Sequence, residues 1–257
     1  MRKPAAHHPR ISRLAPIIAA LALLAGCATP GPNRGYYLNS EGSAHIVQFD
    51  PSGADTATSR QASHLRLLEA AFGFAYDPFT DHFFIRLNPG DRFLVVDRPD
   101  RSVKRRFQLT GVDLPPGLGD IAIRSRDRHL FIINPLSPEL IETNLNGAHE
   151  RTIPLDRPAE GVAYDQSGNR LLTLHDGKVT VRDLEGRSLA TVPLARAVKS
   201  GGLAFDSAAR EYFALLDESA ALGVFAEDGR LLRTLSMPAG RGLLTFDVGP
   251  HSLLRLF

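Results

Sequence analysis

The sequence of 257 residues lacks several features that mark particular classes of protein. It contains no tryptophan and a single cysteine, which excludes an intrachain disulfide. No stretch keeps an apolar period of 3.6 residues, so we expect no long amphipathic helix. The apolar run from Leu14 to Gly26 has 13 residues, fewer than the ~20 that a membrane-spanning helix needs. No block of like charges occurs, which argues against a nucleic-acid partner.

The first 26 residues have the pattern of a secretory leader. Arg2, Lys3, Arg10 and Arg13 form a basic segment without an acidic residue, and the apolar run follows directly. Such a segment directs export and takes no part in the fold. We therefore expect residues 1–26 to be a signal peptide. Without it the chain has 26 basic and 28 acidic residues, a net charge of −2.

The end of the apolar run, "LLAGC" at 23–27, resembles the lipobox of bacterial lipoproteins. The resemblance implies cleavage before Cys27 and lipidation of its thiol, and two or three acyl chains give a stable anchor where one is marginal. Ala28 after the cysteine implies, by the same resemblance, transport to the outer membrane. We expect the protein to face the periplasm, although no residue decides between this and the cell surface. Residues 27–35, with their Pro and Gly, would be a short tether. The alternative is that Cys27 is an inert thiol in an ordinary signal peptide.

The rest of the chain, residues 36–257, is a repeat. The anchor residues Tyr76, Ile123, Tyr164, Phe205 and Phe246 are spaced by 47, 41, 41 and 41 residues. Each anchor lies in one of five similar stretches: "FAYDPFTDHFFIRL" (74–87), "IAIRSRDRHLFII" (121–133), "VAYDQSGNRLLTL" (162–174), "LAFDSAAREYFAL" (203–215) and "LTFDVGPHSLLRL" (244–256).

Tight turns complete each unit. Asn146-Gly147 and Asp228-Gly229 are strong hairpin signals because both positions tolerate a positive φ, and Glu185-Gly186 does the same less strongly. A unit of about 41 residues with four antiparallel strands is a propeller blade. We expect an all-β chain that forms a single propeller of about five four-stranded blades. The innermost strand of each blade would line the channel, and the basic stretch at 101–107 would lie on an outer edge.

The two ends of the chain are incomplete in complementary ways. The last repeat stops at Phe257 after two strands, and "AHIVQFDPSG" at 44–53 matches the third strand and its turn. We therefore expect N-terminal strands to complete the blade that the C-terminus begins. "YYLN" at 36–39 also resembles a second strand, so the two ends together offer five strands for four places.

The repeats resemble the NHL, lactonase-like and SdiA-regulated propeller superfamily, because "AEGVAYDQSGNRLLTLHD" at 159–176 is similar to its blade opening. The resemblance implies the fold and leaves the activity open, since such propellers include lactonases, lyases, binders and scaffolds. The absence of tryptophan disfavours WD-repeat and pyrroloquinoline-quinone types.

Candidate functional residues lie where the loops of one propeller face converge on the channel mouth. They are Asp120, Glu160, Asn134, His175, Asp217 and Arg241. Gluconolactonase-like propellers bind a divalent cation there, and that resemblance implies a Ca²⁺ or Mg²⁺ site formed by Glu160, Asn88, Asn134 and Asp217, with His175 as general base. The other interpretation is that these side chains close Asx turns and that no metal or cofactor is bound.

Two functions follow from these alternatives. The first is a non-catalytic binding or scaffold propeller, anchored by lipid to the cell envelope, whose partner is a protein or an envelope polymer. The second is a metal-dependent lactonase or related hydrolase. We expect the first, and the sequence assigns no catalytic residue.

Overall fold

The structure is a computed structural model. It describes residues 30–39, 45–53, 58–61, 69–88, 91–117, 119–217, 221–237 and 243–252. Within these ranges the chain forms twenty strands and no helix. The described part accordingly contains no helix that is long and apolar enough to cross a membrane.

The strands form five antiparallel sheets of four, and each sheet is a blade. The bounds of the first two blades, from the innermost to the outermost strand, are β4 Ala70–Asp77, β5 His82–Asn88, β6 Arg92–Asp97 and β7 Val103–Gln108 for blade 1, and β8 Ile121–Arg124, β9 His129–Ile133, β10 Glu139–Asn144 and β11 His149–Pro154 for blade 2.

Two further blades follow in the same order. They are β12 Gly161–Asp165, β13 Arg170–His175, β14 Lys178–Arg182 and β15 Ser188–Pro193 for blade 3, and β16 Val198–Asp206, β17 Glu211–Leu216, β18 Ala221–Ala226 and β19 Leu231–Ser236 for blade 4. The predicted all-β propeller of five four-stranded blades is confirmed. Residues 103–107 of the basic stretch lie on the outermost strand β7, as predicted, while Arg101 is buried just before it.

The fifth blade is built from both ends of the chain. Its strands are β20 Leu243–Ser252, β1 Pro30–Asn39, β2 His45–Phe49 and β3 Thr58–Gln61, from inside to outside. Among the described residues the C-terminal segment supplies one strand, the innermost, and "YYLN" lies in the second strand, so four strands fill the four places. The second C-terminal strand that the sequence predicted falls at 253–257, outside the described residues. Tyr37 pairs with Phe246 across this closure. β1 begins at Pro30, which lies in the segment predicted to be the tether.

Turn chemistry explains why the strands are short and regular. The turn between the third and fourth strands contains a glycine with φ near 90° at Gly147, Gly186 and Gly229. Before the first two of these glycines a polar side chain closes the turn. Oδ1 of Asn144 accepts the N–H groups of Asn146 and Ala148, and Oδ1 of Asp183 accepts those of Glu185 and Arg187.

The core is divided among the blade interfaces. One cluster of buried apolar side chains lies between each pair of adjacent blades. Each fully buried Leu or Phe contributes ~1.5–3 kcal/mol, so the blades stabilise one another around the axis. The innermost strands contact their neighbours in a closed circuit that runs β4, β8, β12, β16, β20 and back to β4. These strands surround the channel, as the sequence predicted.

Candidate functional site: the channel and its loop face

Most of the predicted site residues lie at one end of the propeller, where the innermost strands begin. Asp120 and Glu160 precede β8 and β12, and Asn134, His175 and Asp217 end or follow the second strands of blades 2, 3 and 4. We call this end the loop face. Asn88 ends the second strand β5 at the same end, but its side chain lies outside the described residues, as do Arg241 and Cys27.

Asp120 reaches into the channel and connects three blades. Its Oδ2 accepts the backbone N–H of Val162 on β12 at 2.9 Å and that of Leu203 on β16 at 3.0 Å. The side chain is only 3% exposed, and burial raises the pKa of its carboxyl to about 8. The backbone N–H groups of Val162, Leu203 and Ile121 favour the charged form and lower the pKa, while the nearby Asp247 raises it further.

Asp247 is a second channel carboxylate, and sequence reasoning missed it. Oδ2 accepts the N–H of Tyr76 on β4 at 2.8 Å, and Oδ1 accepts the N–H of Val248. Burial raises the pKa of this carboxyl to about 7, and Asp77 adds to the effect. The two aspartates therefore link the innermost strands in two groups: Asp120 joins blades 2, 3 and 4, and Asp247 joins the closing blade to blade 1.

A signal for Asp247 was present in the sequence. It occupies the repeat position of Asp77, Asp165 and Asp206, whose carboxylates each accept a backbone N–H of the following turn. After Asp247 the sequence continues "VGPH" instead of a turn, and β20 runs on to Ser252. Because the chain does not turn back there, this aspartate has no turn to close, and its carboxylate reaches β4 instead.

His175, the predicted general base, is buried inside blade 3. Nδ1 lies 2.5 Å from the carbonyl oxygen of Pro158, which can only accept, so Nδ1 carries the proton. Nε2 lies 2.8 Å from Oγ1 of Thr173, and that hydroxyl also accepts from Nε of Arg182. Burial lowers the pKa of the histidine, which keeps the ring neutral. Both ring nitrogens are thus bonded to protein groups.

The other loop-face candidates have simpler surroundings. Oδ1 of Asn134 accepts the N–H of Leu136 at 3.1 Å, which is an Asx turn, and Nδ2 donates to Glu139. Glu160 is half-buried and its N–H donates to the carbonyl of Leu174. Asp217 is exposed. The structure therefore places these residues at one end of the propeller, each in its own blade.

The metal site implied by the gluconolactonase resemblance stays a prediction. Among the described residues no group of three or more His, Cys, Asp or Glu side chains lies close enough to hold a metal ion. Glu160 and Asp217 approach the same face from blades 3 and 4.

Comparison with known proteins supports the fold. No protein-family model matches the chain, and no curated protein matches it. A solved structure titled "Crystal structure of Nidogen/Laminin Complex" is similar with a TM-score of 0.59 and 11% identity, over 84% of this chain and 98% of that chain. The Myxococcus xanthus glutaminyl cyclase is similar with a TM-score of 0.51 and 13% identity, over 66% of this chain and 75% of that one. At these identities the likeness shows a β-propeller and nothing more specific.

Proposed function

We propose that this chain is a non-catalytic binding propeller that is anchored to the outer membrane by lipid on Cys27. Its partner, a protein or an envelope polymer, docks on the loop face. The fold alone does not carry this proposal, because propellers serve binding and catalysis alike. The two similar structures illustrate this, since one is a nidogen–laminin complex and the other is an enzyme.

The observation that carries the proposal is the exposed side chain of Leu136. This leucine lies at the tip of the loop between β9 and β10, and it is 77% exposed. The loop is held firmly, since Asn134 Oδ1 accepts the N–H of Leu136 and Ser137 Oγ donates to Oε2 of Glu139 at 2.7 Å. A large apolar side chain on a rigid loop loses little entropy when it enters a pocket of a partner.

The surroundings of His175 support binding over lactone hydrolysis. A general base needs a ring nitrogen that can reach substrate. Here Pro158 and Thr173 already occupy both nitrogens. Asn134, which the lactonase hypothesis needs as a metal ligand, uses its carbonyl oxygen to close the turn that holds Leu136.

Site-specific crosslinking tests the docking surface. A photoreactive residue is placed at position 136 and, as a matched control, at Leu189, which is 58% exposed on the outermost strand of blade 3. We expect one discrete adduct from position 136 in intact cells and none from position 189. Excess wild-type protein should suppress the adduct, and Leu136→Asp protein should not. Equal labelling at both positions would contradict the proposal, and so would hydrolysis of lactones that Glu160→Gln abolishes.

Membrane fractionation tests the anchor. Cys27→Ser removes the thiol that the lipobox resemblance requires, so the variant should leave the membrane fraction. Unchanged membrane association of the variant would show that the anchor lies elsewhere.

A further inference from the structure

We propose that the propeller channel binds one divalent cation, Ca²⁺ or Mg²⁺, between the carboxylates of Asp120 and Asp247. This site differs from the loop-face set of Glu160, Asn88, Asn134 and Asp217. It also does not depend on a partner at Leu136, so either proposal can fail without the other.

The position of Asp120 places its carboxylate where four innermost strands converge. Oδ2 bonds to the backbone of β12 and β16. A Cβ atom on Gly202 of β16, which has φ of 125°, would lie 3.7 Å from this oxygen and 3.5 Å from Cα of Thr245 on β20. Asp247 lies two residues further along β20, close enough to repel Asp120.

One oxygen of Asp120 has no partner. Oδ1 is buried and accepts no hydrogen bond in the part of the chain that the structure describes. Because Oδ2 already accepts two N–H groups, the orphaned atom is the one available to a ligand. A buried carboxylate oxygen without a partner is costly unless an ion or a water molecule satisfies it.

Neither channel carboxylate forms an ion pair with an Arg, Lys or His side chain of the described residues, and this separates them from other acids of the propeller. Glu142 binds Arg124, His129 and Arg151. Asp81 binds Arg98, and Asp165 binds Arg170 and Arg210. By contrast, Asp120 and Asp247 contact only backbone N–H groups.

The available donors suit a hard cation. The innermost strands pair on one side only, so their second edge offers backbone carbonyl groups to the channel. Together with two carboxylates and water, this is an all-oxygen environment of the kind that Ca²⁺ and Mg²⁺ prefer. A cation would also neutralise the mutual repulsion of the two aspartates, which a bound water molecule would not do.

The experiment uses the purified full-length chain, stripped of metal with a chelator. Calorimetric titration with Ca²⁺ and with Mg²⁺ should show one equivalent of at least one of these ions, and that ion should raise the melting temperature. Asp120→Asn and Asp247→Asn should each bind it at least about tenfold more weakly, because carboxylate charge sets the affinity of such sites. Asp228→Asn is the matched control, since this carboxylate is exposed at an outer turn of blade 4.

Three outcomes would overturn the proposal. They are no binding of either ion by the wild-type chain at millimolar concentration, unchanged affinity in both channel variants, or loss of binding in Glu160→Gln with the channel variants intact. The third outcome would place the ion at the loop face. Should neither channel variant fold, an anomalous scattering peak of Mn²⁺ beside Asp120 in wild-type crystals supports the site, and an empty channel refutes it.

Discussion

Blade 3 packs against blade 4 and blade 2 in two different ways. Leu172, Leu174, Val179 and Val181 face blade 4 in a continuous apolar cluster. On the opposite face, Leu171 belongs to the cluster shared with blade 2. Because side chains alternate along β13 and β14, Thr173, His175 and Arg182 lie on the same face as Leu171. Both faces belong to one sheet, so the difference lies in the side chains alone.

The polar face is a connected hydrogen-bond network. Arg182 is 1% exposed, and it donates to Thr173, to the carbonyl of Gly186 and to Asp156. An apolar face tolerates small shifts of the adjacent blade. A buried guanidinium requires its hydrogen-bond acceptors at fixed positions. A single blade can thus be stabilised by apolar burial on one face and by hydrogen bonds of fixed geometry on the other.

The largest expected effect is on the apolar face. Leu174→Ala removes a fully buried side chain between blades 3 and 4. We expect the free energy of unfolding to fall by ~2–5 kcal/mol, from lost transfer energy and the cavity that remains. Urea unfolding measures this. A loss below ~1 kcal/mol would mean that the apolar face does not hold blade 4.

An added methyl group in the outer turn should destabilise the interface of blade 3 with blade 2 and that of blade 4 with blade 3 to a similar extent. Gly186→Ala and Gly229→Ala add a Cβ at φ of 86° and 85°. That atom would meet the carbonyl oxygen of Pro154 or of Pro193 on the preceding blade. We expect each variant to lose ~1–3 kcal/mol of stability from strain and contact.

Gly177→Ala is the matched control for these turn variants. Its φ is 69°, and an added Cβ has no atom within 4 Å, so it reports backbone strain alone. If all three variants lost equal stability, the contact with the preceding blade would contribute nothing.

On the polar face, Arg182→Met should cost less than the leucine truncation. The variant keeps the apolar stem but leaves the Gly186 carbonyl and the Thr173 hydroxyl without a donor. We expect a loss of ~1–3 kcal/mol. A double-mutant cycle with Thr173→Val should show a coupling of ~0.5–3 kcal/mol. Strict additivity would show that the network is not a unit.

The smallest effect is a pH dependence through His175. Burial lowers the folded-state pKa below the unfolded value of ~6.5. The unfolded chain therefore binds the proton more readily, and this contribution to stability is lost as pH falls below ~6.5. Arg182 and Arg157 also disfavour the charged ring, while Asp156 and the Pro158 carbonyl favour it.

The measurement for His175 compares wild-type protein with His175→Gln. Between pH 7.5 and pH 5.5 the wild type should lose more stability than the variant, because the unfolded chain takes up the proton more readily than the folded one. Asp120 and Asp247 have raised pKa values, which favour the folded state at lower pH. Both proteins contain these aspartates, so their contribution cancels when the stability change of the variant is subtracted from that of the wild type. Identical slopes would show that His175 titrates alike in both states.

Much of the candidate site followed from the sequence, because a repeat fixes which strand ends share a face. Asp120, Glu160 and Asn134 were assigned to one face, and they lie at one end of the propeller. The hydrogen-bond partners of these residues could not be predicted from the sequence. The bond between Asp120 and Leu203 joins residues 83 positions apart, and only the closed ring brings those two strands together.

The sequence by itself determined the blade, the blade number and the closure by both ends. A period of 41 residues, alternating side chains and Asn/Asp–Gly turns are local properties of the chain. Only the tertiary structure decided what the polar residues do. His175 became part of a buried hydrogen-bond network because Thr173 and Arg182 of its own sheet bond to it. Asp247 became a channel residue because β20 continues beside β1 instead of turning, which depends on pairing with the opposite end of the chain.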